Sequence, residues 1–217
     1  MPSMLSTSSL NRGIALGLVL LVASSLGCSR KGLSSLSRPL CRVFQHWCEE
    51  YSEEKYPNGA VKSRGHVLQD ENDNYVKVGL WTSWHENGQK SEEGEYKDGE
   101  RTGDWMYWRE NGRKSREGEF AHGKEVGIWT YWYENGQKDY EGPQENGKRA
   151  GTWTFWHENG QKHEEGNYQG GLRVGLWTSW YKNGPRLGET QYDNNGRLLR
   201  QRMWTENGEA LNLSPLP

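Results

Sequence analysis

Six histidines, a cysteine pair and a column of glutamates are the side chains of this sequence that could bind a metal or move a proton. None of His46, His66, His85, His122, His157 and His163 falls in an H-E-x-x-H motif. Cys41 and Cys48, near His46, lack the further ligand pair that a tetrahedral zinc site needs. His85 and His157 are equivalent positions of an internal repeat at which Arg109 and Tyr133 also stand. That tolerance predicts a solvated loop tip. Glu93, Glu117, Glu141, Glu165 and Glu189 recur every 24 residues. With one glutamate per hairpin, neighbours lie two strands, about 9.6 Å, apart, too far to share a cation or work as an acid/base pair. Their expected role is cross-strand pairing with Thr82, Thr130, Thr154 and Thr178. No G-x-S-x-G elbow and no P-loop is present. A catalytic constellation is single and asymmetric, whereas every notable residue here is repeated. The sequence therefore predicts a non-enzyme, with no catalytic residue, metal or cofactor.

What remains is aromatic. The 217 residues include 12 Trp and 11 Tyr. After residue 28, only 24 of 189 residues are Leu, Val, Ile or Phe, about 13%. That is below the roughly 20% under which disorder is the usual outcome, yet disordered chains are poor in aromatics. A formal net charge of −2 lacks the basic excess of a nucleic-acid footprint. The composition argues against a conventional two-layer enzyme core, which leaves the aromatic columns as the core, a binding strip, or both. As a strip, Trp81, Trp105, Tyr107, Trp129, Tyr131, Trp153, Phe155 and Trp177 would be rimmed by Lys90, Lys114, Lys138 and Lys162. Such a surface suits an extended protein segment, and tryptophan could also stack on the sugar rings of a cell-wall glycan.

The elements that carry these columns follow from the period. Gly79, Gly103, Gly127, Gly151 and Gly175 are spaced by 24. Two residues on come Trp81, Trp105, Trp129, Trp153 and Trp177, and three further Trp84, Trp108, Trp132, Trp156 and Trp180. Asn-Gly pairs follow at 87–88, 111–112, 135–136, 159–160 and 183–184. Trp204 and Asn207-Gly208 stay in phase, and Tyr56-Pro57-Asn58-Gly59 opens a degenerate copy. A five-residue insertion between Gln69 and Val78 sets that copy apart.

Asn-Gly is the signature of a two-residue type I′ hairpin turn. Opposed residues then sum to 175, so Trp81 faces Gly94, Ser83 faces Glu92 and Trp84 faces Ser91. A ring over a cross-strand glycine shields bare backbone. The pairing recurs as Trp105–Gly118, Trp129–Gly142 and Trp153–Gly166 but fails at Trp177, opposite Thr190. Pairs at 98–99, 122–123, 146–147 and 170–171 turn one hairpin into the next. By strand alternation, one face carries the Trp81 column, the Ser83 column (Tyr107, Tyr131, Phe155) and the Tyr96 column (Phe120, Gln144, Tyr168, Tyr192). The Trp84 column lies on the other. The predicted fold is all-β, a single-layer twisted antiparallel meander of tandem 24-residue β-hairpin repeats, about twelve strands in all. Pro143 marks the third unit as irregular.

The run G-x-W-T-x-W-x-E-N-G-Q-K-x-x-E-G-x-Y-x-x-G-K-x-x-G resembles the variant MORN repeat over roughly residues 50–211. Bacterial chains of this kind are often grouped as YwqK-type antitoxins. The resemblance implies an interaction module with no shared catalytic residues. It also implies an alternative function, neutralising a toxin by direct binding.

The N-terminus reads as an address. Ile14 to Ala23, behind Arg12, are ten uncharged residues, about 15 Å as a helix against a bilayer core near 30 Å. That predicts an export signal rather than a membrane span. The run S-S-L-G-C ending at Cys28 is similar to a bacterial lipoprotein signal, which implies cleavage before Cys28 and lipidation of its sulfur. Gly27 and Cys28 fit that pattern, Ser25 and Leu26 depart from it, and cleavage after Ser25 is the alternative. A Ser-rich tether follows to Leu40. Cys41 and Cys48 are a candidate disulfide. In a continuous helix they would stand about 10.5 Å apart, too far to bond, whereas a turn would let them meet. The expected organisation is a signal peptide at 1–27, a tether and N-terminal cap at 28–48, the repeat array at 49–211 and a tail at 212–217. The expected location is the cell envelope, lipid-anchored to a membrane, with a protein partner or wall glycan and no nucleic acid.

Overall fold

The computed structural model describes residues 49–69 and 74–211. Cys28, Cys41, Cys48, the signal and the tether lie outside them. Every regular element among the described residues is a strand. The first hairpins are β1 (Glu50–Lys55), β2 (Val61–Gln69), β3 (Tyr75–Trp84), β4 (Lys90–Lys97), β5 (Glu100–Trp108) and β6 (Lys114–Ala121). The chain continues through β7 (Lys124–Trp132), β8 (Lys138–Glu145), β9 (Lys148–Arg149), β10 (Gly151–Trp156) and β11 (Lys162–Gln169). It ends with β12 (Leu172–Trp180), β13 (Arg186–Tyr192), β14 (Leu198–Trp204) and β15 (Ala210–Leu211). They form one 15-stranded antiparallel meander in sequence order, with β9 paired only to β8. The degenerate first copy is a true hairpin, β1–β2. The strand count exceeds twelve partly because β9 and β10 are one strand broken at Ala150. Ala150 N–H donates to the Pro143 carbonyl at 3.0 Å, and proline has no N–H to return the bond.

The Asn-Gly turns are not of the type expected of them. At Asn87-Gly88 only the glycine has positive φ, +84°. Gly88 N–H donates to the His85 carbonyl at 2.9 Å, and His85 N–H to the Gln89 carbonyl at 2.8 Å. This is a type I turn closed by a left-handed glycine, not a type I′ turn. The register accordingly slips between Ser83 and Trp84. Trp81 faces Gly94 and Ser83 faces Glu92 as expected, but Trp84 faces Lys90 instead of Ser91. The asparagine is there for its amide. Its Oδ1 accepts from Gln89 N–H at 3.0 Å, and its Nδ2 donates to the Glu110 carbonyl of the next unit at 2.8 Å. The true type I′ turns join the units. Asp98-Gly99, His122-Gly123 and Asn146-Gly147 have positive φ at both positions, as does Gly170-Gly171.

Between units the ladder bulges. Glu93 pairs with Met106 and Glu95 with Thr102, so Gly94 alone opposes Gly103, Asp104 and Trp105. Gly103 takes φ +63° to allow this. The bulge lays the Trp105 ring over Gly94, where an added Cβ would come within 3.0 Å of the indole. Trp81 covers Gly65 in the same way, Trp129 Gly118, Trp153 Gly142 and Trp177 Gly166. Each ring therefore covers the glycine of the preceding unit, not the glycine of its own hairpin. The indole N–H donates to the residue after that glycine, as in Trp105 to Glu95 O (3.2 Å) and Trp153 to Pro143 O (3.0 Å).

Thr190 then ceases to be an exception. The position that would carry its covering tryptophan is Gln201, and the bulge glycine is replaced by Leu199. Thr190 and Gln201 face each other in an unbroken ladder through this part of β13 and β14. The glycine, the ring and the bulge disappear together, because each exists to accommodate the others.

The core lies on one face of this single sheet. Trp81, Trp105, Trp129, Trp153 and Trp177 are at most 5% exposed, and Tyr107 and Phe120 are buried beside them. Tyr96, Phe120 and Tyr168 wedge between successive indoles edge-on. Centroids are 5.2 Å apart for Tyr96–Trp105, 5.2 Å for Phe120–Trp129 and 5.0 Å for Tyr168–Trp177. Edge-to-face pairs of this kind contribute about 0.5–1.5 kcal/mol each beyond their burial. A sheet poor in Leu and Val is thus held by stacked rings that couple every unit to the next.

Candidate binding faces

The eight residues expected to form a binding strip are on one face as predicted, but the five tryptophans among them are its buried floor. Tyr107 is buried as well, while Tyr131 and Phe155 are half-buried. The four lysines expected to rim this face are on the opposite one. Cations of a different column cover the rings. Lys77 Nζ stands 4.1 Å from the Trp81 centroid, and the guanidinium carbons of Arg101, Arg149 and Arg173 stand 4.2, 4.4 and 4.0 Å from Trp105, Trp153 and Trp177. These are cation–π contacts at desolvated distances.

Cross-strand carboxylates hold the guanidiniums in place. Glu164 takes Arg173 through two bonds of 2.7 Å, and Glu92 takes Arg101 at 3.0 Å. Burial opposes the charge on Arg173, but its hydrogen bonds to the Glu164 carboxylate overcome that and its pKa rises. Arg101 also donates to Tyr107 Oη at 2.7 Å. Burial pushes that phenol up to about 12 against the opposing pull of Arg101 and Arg116.

The third unit breaks the pattern twice. Glu125 stands where the other units have a cation, and Arg116 stands where they have a glutamate, so the pair is swapped, at 3.4 Å. Arg116 then takes over the ring-capping role, 4.0 Å from Tyr107. Burial raises the pKa of Glu125, with Arg116 and Arg101 opposing. Next, Tyr140 replaces the carboxylate that would face Arg149. Among the described residues Arg149 has no ion pair. Its guanidinium lies 5.2 Å from Tyr140, 5.5 Å from Phe155 and 5.3 Å from Tyr168, and it donates to Tyr168 Oη at 3.2 Å. Tyr131 and Tyr140 stack at 4.2 Å beside it. Gln144, in the column of wedge aromatics, donates to Glu125 at 3.0 Å.

The opposite face repeats a different unit. Lys90 pairs with Glu93 at 2.7 Å, Thr82 donates to Glu93 at 2.9 Å, and the ammonium stands 5.4 Å from the Trp108 centroid. Thr130–Glu141 and Thr154–Glu165 repeat the hydroxyl contact at 2.8 and 2.9 Å, so the glutamate column pairs with threonines as expected. Thr178 faces Glu189 in register, and Met106 takes the threonine's place in the second unit. Burial raises the pKa of Glu93 and Glu141, but bonds from the lysine and threonine prevail and the net shift is downward. Two shallow depressions lie on this side, one at Lys114, Trp132 and Gly136, the other at Arg186, Trp204 and Gly208. They are the same site three periods apart.

The histidines at the turn are not solvated tips. His85 Nε2 is 2.8 Å from the Trp108 carbonyl and His157 Nε2 3.0 Å from that of Trp180, so each ring carries its proton on Nε2. Arg109 and the hydroxyls of Tyr133 and Tyr181 donate to the equivalent carbonyls at 2.6, 2.7 and 2.9 Å. The column tolerates His, Arg and Tyr because each reaches one carbonyl of the next unit with a terminal donor. Among the described residues no group of three or more His, Cys, Asp or Glu is placed to hold a metal ion. Sequence reasoning missed the Lys77/Arg101/Arg149/Arg173 column, although its period of 24 was available as a signal.

No curated protein matches the chain. Among solved structures, TarM aligns with 70% of this chain at 9% identity and a TM-score of 0.24, and the chain covers 25% of TarM. A protein of unknown function from Bacteroides fragilis aligns with 73% of this chain at 7% identity and a TM-score of 0.16, with 95% of that protein covered. Neither likeness carries an argument about this fold. Residues 77–98, 125–148 and 149–169, which fall on the first, third and fourth regular units, match the MORN repeat variant, and it is to that repeat that this chain is similar.

Proposed function

We propose that this chain is a non-catalytic binding or scaffolding module of the bacterial cell envelope, anchored through a lipid on Cys28, whose aromatic sheet face receives a protein partner. The observation that carries the reading is the break in that face at Arg149. Elsewhere a cross-strand carboxylate satisfies the ring-capping arginine, as at Glu92–Arg101 and Glu164–Arg173. Tyr140 leaves Arg149 with donors to spare inside a frame of aromatic rings, and arginine and tyrosine are residues that anchor protein interfaces. A purely periodic face would let a partner bind in several registers; one interruption selects one. The test is a photo-cross-linking phenylalanine analogue at half-buried Phe155, which lies on the same face 5.5 Å from the Arg149 guanidinium, in native cells. A discrete cross-linked protein that disappears with Arg149→Glu supports the reading. No product, or one indifferent to Arg149→Glu, overturns it. The intact mass of the membrane fraction tests the anchor independently, since a diacylglyceryl Cys28 is expected and an unprocessed Met1 would refute it.

A second reading rests on the opposite face. The equivalent depressions at Trp132 and Trp204, each with a cation and a turn glycine, would suit sugar rings of a wall glycan stacked along the array. Retention on purified peptidoglycan that is lost with Trp132→Ala would favour it.

A further inference from the structure

We infer that the two open edges of the sheet are complementary and join copies of this chain head to tail. Among the described residues nothing pairs with the outer edge of β1. At the other end, among the described residues, β15 reaches only Met203 and Trp204 of β14, so the side of Leu198 to Arg202 that faces away from β13 has no strand neighbour there. Unpaired strand edges are templates for another strand. The open lengths match: β1 has six residues, the free part of β14 five, enough for a ladder of about 17 Å.

The side chains decide which edge meets which. β1 reads E-Y-S-E-E-K, with Glu50, Glu53 and Glu54 exposed and Glu49 just before it. β14 reads L-L-R-Q-R-M-W, with Arg200 and Arg202 exposed and Arg197 just before it. Two β1 edges brought together repel, and so do two β14 edges. A β1 edge against a β14 edge attracts. Like-charge edges therefore suppress the symmetric dimer that edge pairing would otherwise give, while opposite edges favour the head-to-tail contact. Ser52 pairs with Gly65, which lies under Trp81, so Glu53 is on the face opposite the buried tryptophans while Glu50 and Glu54 are on the tryptophan face. Arg200 and Arg202 share the face of Glu53 with Trp204, and the attraction is one between whole edges rather than matched side-chain pairs. Since the joined surfaces differ, association does not close at two copies but continues the sheet from molecule to molecule. The occupant is thus a second copy of this chain.

The test is sedimentation velocity on the processed chain over a rising concentration series at low and high salt. Expected is growth past the dimer at low salt, reversed by salt because the edges meet through exposed charge. Glu50→Arg with Glu53→Arg makes both edges basic, and Arg200→Glu with Arg202→Glu makes both acidic. Each variant alone associates at least about tenfold more weakly. Mixed one to one, they regain growth, because each supplies the edge that the other lacks. All four positions are exposed, so the circular-dichroism spectrum is expected to stay unchanged. A monomer at every concentration, a discrete dimer, or association that ignores both reversals overturns the inference. Arg149 takes no part in these edges, so failure here is separable from failure of the partner-binding reading.

Discussion

Gly118→Ala tests the interlock between units. An alanine Cβ at position 118 would lie 2.6 Å from Trp129 Cγ and closer to two other indole atoms. The carbon–carbon optimum is near 3.5–4.0 Å, so the ring must retreat by about 1 Å or more. It has little room, with Phe120 edge-on at 5.2 Å and Tyr107 and Tyr131 at 6.3 and 6.2 Å. Overpacking of a rigid ring costs about 1–3 kcal/mol. Losing the indole bond to the Glu119 carbonyl, 3.3 Å long, costs about 0.5–1.5 kcal/mol more. Alanine returns about 0.4–1 kcal/mol by restricting the unfolded chain, because position 118 does not use left-handed φ. The expected net loss is about 2–3 kcal/mol, or a melting point roughly 4–12 °C lower for a chain of this size.

The assay is urea unfolding followed by circular dichroism, run as a double-mutant cycle. Trp129→Gln alone is expected to cost about 3–5 kcal/mol. Adding Gly118→Ala to it is expected to cost almost nothing further, because the indole that the new Cβ would strike is gone, as it is at Thr190, which faces Gln201. The coupling energy is thus expected to be about 2 kcal/mol. Additive effects, or a Gly118→Ala variant within about 0.5 kcal/mol of the parent, would refute the reasoning.

Asn135→Ala removes the bond to the Glu158 carbonyl at 2.7 Å and the cap on Gln137 N–H at 2.9 Å. It should lower stability by about 1–2 kcal/mol in urea unfolding. His85→Leu should cost about 1 kcal/mol for the lost bond to the Trp108 carbonyl, whereas His85→Tyr should be near neutral, since Tyr133 fills the same role. Glu141 has a lowered folded pKa, so its stabilisation is complete above the usual carboxylate value and lost as pH falls through the folded one. Glu141→Gln should therefore be less stable than the parent at pH 7, with the gap closing toward pH 3. Glu125 has the opposite shift, so its ionised form opposes folding, and Glu125→Gln should gain stability at neutral pH but not in acid. Unfolding curves across that range check both signs.

Much of the architecture could be read from spacing. The period of 24 and the glycine-punctuated strands leave no room for a helix, and the hairpin register from Gly79 to Ser83 follows from the Asn-Gly position. Face alternation then sorts Trp81 from Trp84. The Asn-Gly turn was misread because its dipeptide signature belongs to two turn types that differ by one residue in register. The sequence alone does not say whether Asn87 will adopt positive φ or spend its amide on the next unit. The lysine rim was misplaced for the same reason, since a slip of one residue moves Lys90 to the other face.

The composition and the period determined by themselves that this chain is a repeat array with aromatic columns, because what recurs every 24 residues must recur in space; that the Trp81 column is the buried core was decided by the structure. Which glycine lies under which tryptophan was decided only by tertiary structure. The bulge at Gly103 carries each ring across a unit boundary, and a bulge arises from two strands together rather than from either one. The unpaired guanidinium of Arg149 is of the same kind. Whether a capping arginine finds a carboxylate depends on the residue across the ladder, and that neighbour is set by register and not by sequence distance.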